Sequence, residues 1–126
     1  MIFPDVVDLQ LVGVFDRGIP NQERIVIKTN SWVNMAEYGV LIGLLGQNNM
    51  ASPYYDNFFH FKEISVVPNT LIFLYTGPGN EIQSKMPSGD PAFIYHWGKP
   101  VTAFADSNVI PILVRIGAVQ LGLPPQ

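Results

Sequence analysis

Short β-branched and aromatic runs, each closed by turn residues, constrain this chain more than any other feature. Its 11 glycines and 11 prolines are spread along the whole length and are not gathered into a linker. They therefore punctuate a succession of short elements, the pattern of a sandwich or a barrel. The expected fold is all-β: an antiparallel β-sandwich in a single domain over residues 1–126, with terminal tails at 1–5 and 123–126.

Periodicity supplies the strands. Val7, Leu9 and Leu11 alternate with Asp8 and Gln10, and Ile25 and Ile27 alternate with Arg24, Val26 and Lys28, so each run presents two different faces. Residues 38–45 are nearly continuously apolar, but too short and too rich in Gly39 and Gly43 for a helix, and read as a central strand. The predicted strands are 6–14, 23–28, 38–45, 57–61, 63–67, 71–75, 93–97, 101–105, 109–116 and 118–121, with one helical turn at 35–37. Polar residues and Pro53 make 47–56 the longest predicted loop, and 80–91 reads as a mobile hairpin loop. Pro111 lacks a backbone donor, which places its strand at an edge or a bulge.

A chain of 126 residues buries enough surface for one core. No apolar run approaches the roughly 20 residues that span a bilayer, and a soluble globule is expected. Asp5 and Asp8 stand where a secretory leader needs a basic and then an apolar stretch, so the chain reads as unsecreted or as a mature form. The absence of cysteine excludes disulfides, zinc–thiolate sites and thiol nucleophiles, and leaves the compartment open.

Charge is the informative total. Charged residues are 13% of the chain, against about 25% in ordinary domains. Part of the surface is therefore expected to be covered by a second copy or a protein partner. A net charge of -3 without a Lys/Arg cluster argues against nucleic acid. No cofactor is expected either. Thr76-Gly77-Pro78-Gly79 lacks the following Gly-Lys-Ser/Thr of a phosphate loop and reads as a turn, and Gly43-x-x-Gly46 is a fragment of a dinucleotide pattern.

The candidate site residues are aromatics and their neighbours. Five of the eight residues in 54–61 are aromatic, more than alternation can bury, so some face outward: either Phe59 and Phe61, or Phe58 alone, fill the core while the tyrosines cap its rim, or the stretch is an interface hot spot. Tyr54, Tyr55, Phe58 and His60 are the candidates there, and His96, Trp97 and Lys99 form a second group in which Lys99 can lay its stem across the indole. Asp56 with His60 falls short of the three or four ligands of a zinc site. A triad of Ser107, His96 and Asp106 is disfavoured because adjacent Asp106 and Ser107 point apart in an extended chain.

The order of motifs resembles lamin-tail-type domains. Residues 21–28, then Val33-Asn34-Met35-Ala36-Glu37-Tyr38-Gly39-Val40, resemble that family's opening strand, asparagine step and second strand. Phe59-His60-Phe61, Val67-Pro68-Asn69, Leu74-Tyr75-Thr76-Gly77-Pro78-Gly79, Tyr95-His96-Trp97-Gly98-Lys99 and Phe104-Ala105-Asp106-Ser107-Asn108 are similar to its later half. Ala36-Glu37-Tyr38 stands where the family has a serine-glycine-tryptophan step. The resemblance, over roughly residues 21–116, implies an immunoglobulin-like sandwich acting as a non-catalytic interaction module.

The leading expectation is a domain that self-associates or holds a protein partner through 54–61 and the Trp97 region, including as a structural subunit of a larger assembly. The alternatives are a site for a carbohydrate or small apolar ligand on the same aromatics, and a small hydrolase using His60 or His96.

Overall fold

A computed structural model describes residues 4–125, apart from the side chains of Asn49, Tyr55 and Asp56. The strands are β1 (Leu9–Phe15), β2 (Arg24–Thr29), β3 (Val33–Asn34), β4 (Tyr38–Leu45), β5 (Ala51–His60), β6 (Ser65–Val66), β7 (Leu71–Tyr75), β8 (Ile82–Lys85), β9 (Pro91–His96) and β10 (Val109–Arg115). A five-stranded sheet in the order β1-β2-β7-β9-β8 packs on a three-stranded sheet in the order β10-β4-β5, and β3 pairs with β6 beside them. The chain is thus a β-sandwich. Pairing is antiparallel except between β7 and β9, which run parallel because the chain passes through β8 at the sheet edge before returning.

Alternation builds the core. Register places Ile27 opposite Ile72 and Ile25 opposite Leu74. Those rows continue to Phe93 and Tyr95 on β9. The three-stranded sheet answers with Tyr38, Val40 and Ile42 of β4 and with Phe61 just beyond β5, all buried. Phe104, from the segment after β9, is fully buried between them.

Several expected elements differ. Strand β5 begins at Ala51, inside the predicted loop 47–56, and Pro53 is accommodated because β5 lies at a sheet edge where no ladder donor is needed. The predicted loop 80–91 contains β8, whose residues are exposed on both faces and so carry no apolar alternation. Residues 101–105 form no strand, since the backbone amides of Ala103 and Phe104 are bound by a side chain and not by a sheet. Residues 118–121 also form no strand and lie exposed, as does the whole segment 117–125. The helical turn at Met35–Glu37 is present, capped by Asn34 Oδ1 accepting from Ala36 N at 3.0 Å.

Strand β2 is pinned at both ends by buried polar side chains. At its start, Glu23 is 1% exposed. Its Oε1 accepts from Thr76 Oγ1 at 2.8 Å and Ala103 N at 2.7 Å, and its Oε2 from Gly18 N at 2.7 Å and Phe104 N at 3.0 Å. At its end, Thr29 Oγ1 donates to Val67 O at 2.7 Å and accepts from Thr70 N at 2.9 Å. Burial alone would raise the Glu23 carboxyl, but the bonds from Gly18, Ala103, Thr76 and Phe104 together outweigh it and hold it below its ordinary value.

Glu23→Ala removes the acceptor of four donors at once and is expected to lower the unfolding free energy by about 3 kcal/mol or more in urea titration. A depressed folded pKa contributes stability that is present above the ordinary value of 4.5 and is lost as pH falls through the folded value. Between about pH 6 and about pH 3 the wild type should therefore lose more stability than Glu23→Gln, which has no carboxylate to protonate.

Candidate functional site

The aromatic stretch lies on β5 and is split by a wide bulge. Phe58 stands opposite Leu41 and Pro53 opposite Gly43, so Ile42 alone faces residues 54–57. Beyond the bulge, alternation sorts the rings. Phe61 is buried and meets Phe59 and Tyr95 edge-on, each at 5.2 Å between centroids. Phe59 also packs against Trp97 at 5.7 Å. Phe58, 45% exposed, faces outward and stacks on His60 at 6.1 Å.

Six of the seven predicted site residues have described side chains, and these divide into three places. Tyr54 and Lys99 line one cleft of about 250 Å³ with Asn57, Val101 and Val109, where Lys99 Nζ donates to Asn57 Oδ1 and lies 4.9 Å from the Trp97 ring. Burial lowers the Lys99 ammonium below its ordinary value. Phe58 and His60 lie instead on the outer face of the three-stranded sheet. His96 is separated from both groups. It lies on the outer face of the five-stranded sheet, in the cross-strand row Phe15, Arg24, Tyr75 and His96, stacked on Tyr75 at 5.3 Å and covered by Gly79. The Tyr55 and Asp56 side chains lie outside the described residues.

The two histidines stand on the outer faces of different sheets. His60 Nε2 is 2.7 Å from Ala36 O, and Asp106 uses its Oδ1 to accept from Asn108 N at 2.8 Å. Neither histidine bonds a carboxylate among the described residues.

One apolar face, apart from Phe58, was not a candidate in the sequence. On the outer face of the three-stranded sheet the register aligns Phe58, Leu41 and Ile112 across all three strands. Ile110 and Val114 of β10 flank them, opposite Gly43 and Gly39. The two glycines let large side chains lie flat on the sheet. A Cβ on Gly43 would stand 2.6 Å from Ile112 Cδ1, and one on Gly39 would run into the Phe58 ring and stand 2.9 Å from Phe59 O. No Asp, Glu, Lys or Arg lies on this face between Gly39 and Leu45 or between Ile110 and Val114. The run 109–116 carried the signal, because its outward and inward positions are equally apolar, which is how a strand covered on both faces reads. Trp32, 70% exposed, was also missed; it lines a cleft of about 340 Å³ with Asp8, Asn34, Glu37 and Arg115 at the end of β10.

No protein-family model, curated protein or solved structure matches this chain.

Gly39→Ala should cost about 1–3 kcal/mol of stability by overpacking Phe58. In a double-mutant cycle read by thermal or urea unfolding, Phe58→Ala should relieve part of that cost, since the ring is one of the two obstacles.

Proposed function

We propose that this chain is a non-catalytic interaction domain that associates with a second copy of itself through the outer face of β10, β4 and β5. One observation carries the proposal. Strands β4 and β10 have the apolar composition of strands buried on both faces, yet only their inner faces are covered by the sandwich. Phe58, Leu41 and Ile112 form the central row, and Phe58 is an aromatic anchor of the kind that dominates interface energetics.

The low charge of the chain, 13%, supports the same reading, as does the resemblance to lamin-tail-type modules, whose members are non-catalytic. Edge-to-edge pairing through β5 or β8 is disfavoured. Pro53 and the bulge blunt β5, and β8 is short and carries Lys85, so association through the face is favoured over association through either of these two edges. A face is also self-complementary under a two-fold axis, which lets one patch serve both copies.

Sedimentation velocity over a concentration series tests this. The wild type is expected to dimerise in the micromolar range, and Leu41→Asp/Ile112→Asp to weaken the dimer by about 100-fold or more while leaving the far-ultraviolet circular dichroism unchanged. A wild type that stays monomeric to about 1 mM, or a double variant that dimerises normally, refutes the proposal.

A further inference from the structure

The segment after β10 has the sequence of a strand but joins no sheet. Val119, Leu121 and Leu123 recur at every second position, the spacing that puts three side chains on one side of an extended chain. They are 78%, 73% and 75% exposed. Ile116 N still donates to Glu37 O, at 2.6 Å, and beyond it residues 117–125 make no backbone hydrogen bond among the described residues. The outer edge of β10 has no ladder partner among the described residues, and a cleft of about 450 Å³ lined by Val6, Val7, Leu9, Leu11 and Leu113 lies beside it, but the segment 117–125 does not fold back onto that edge.

We infer that residues 117–125 form an arm that reaches onto a second copy and packs its Val119, Leu121 and Leu123 side against that copy's Trp32. This rests on the dimer proposed above and adds what that dimer lacks, which is area. Seven-residue strands and three strand spacings give a face of about 24 by 14 Å, so two faces bury about 700 Å². That is the scale of adventitious contacts and falls short of the roughly 1,200 Å² of a specific interface. Two arms, each about 30 Å long and one strand wide, laid on their partners bring the total to about 1,300 Å².

Trp32 is the landing site the geometry favours. It is the largest strongly exposed side chain, and it shares its cleft with Arg115, the last residue of β10, so it stands at the end of the sandwich from which the arm departs. The arm is longer than the face by about 6 Å. Val119, Leu121 and Leu123 stand about 10, 17 and 23 Å along an extended arm from Ile116, so they meet the partner's Trp32 when the two-fold axis brings the two arm roots to the same end. The side of the arm that would meet the indole is aliphatic, and the spacer residues Gln120 and Gly122 bring no charge with them.

The test uses the full chain, the arm variant Val119→Asp/Leu121→Asp/Leu123→Asp and the face variant Leu41→Asp/Ile112→Asp. Sedimentation gives the dimer constant, and the emission of Trp32 is taken as the difference between wild type and Trp32→Phe. The arm variant should raise the dimer Kd by about 100-fold or more, because three aliphatic side chains lose their burial, and should melt as a monomer like the wild type. The Trp32 emission should move to the blue as the wild type dimerises and stay red in the arm variant at the same concentration. An arm variant that dimerises with wild-type affinity while the face variant is monomeric overturns the arm and leaves the face dimer standing. A wild-type dimer in which Trp32 emission does not move overturns the docking on Trp32. A wild type that is monomeric to about 1 mM overturns both proposals together.

Discussion

The Glu23 carboxylate ties together three segments that are far apart in the chain. It stands at the entry to β2, and its four donors come from the turn before β2, from Thr76 just after β7, and from the segment 103–104 that closes over the sandwich. None of these three segments has a ladder partner for those groups, so each would leave buried donors unpaired without the carboxylate. The loss of any one bond is modest. The loss of the common acceptor is not, because a single acceptor satisfies all of them and positions Phe104, a fully buried ring of the core.

With Glu23 at one end of β2 and Thr29 at the other, the five-stranded sheet is held by its second strand, and β7 follows in register through Ile25 with Leu74 and Ile27 with Ile72. Its parallel neighbour β9 then presents Tyr95, and the chain continues at once to Trp97; both rings receive Phe59 from the opposite sheet. The aromatic contacts between sheets therefore depend on where β2 is anchored. They also decide which way β5 faces. With Phe59 committed to the inside, Phe58 and His60 must point outward, onto Gly39 and beside Leu41.

That orientation gives the molecule its asymmetry. The outer face of the five-stranded sheet carries the row Phe15, Arg24, Tyr75 and His96, in which the guanidinium lies 5.6 Å from the Phe15 ring and 5.9 Å from the Tyr75 ring, so its aromatics are already partnered by a cation. The outer face of the three-stranded sheet has apolar side chains in the corresponding places and no cation among them. The cation distinguishes that row from Phe58, Leu41 and Ile112, although the neighbouring row of the larger sheet, Val26, Phe73, Ile94 and Ile82, is apolar as well.

Alternation and turn chemistry in the sequence by themselves determined that this chain is a β-sandwich: β2, β4, β7 and β10 were legible because period-2 patterns and apolar runs depend only on local side-chain direction. The placement of Trp97 against Lys99 was equally local, two residues apart with Gly98 at φ 85° between them. Residues 51–56 and 82–85 were not legible, since exposed edge strands with polar faces or a proline carry no burial pattern. The site was less legible than the fold. His96 was grouped with Trp97 because they are adjacent, but adjacent strand residues point to opposite faces, and the sheet sent them apart. Leu41 and Ile112 were read only as members of two strands; they lie 71 positions apart and share an outer face only through the register of β4 with β10. Which apolar residues are covered is a property of how two sheets meet, with Glu23 and the aromatic contacts fixing that meeting, and no local pattern encodes it.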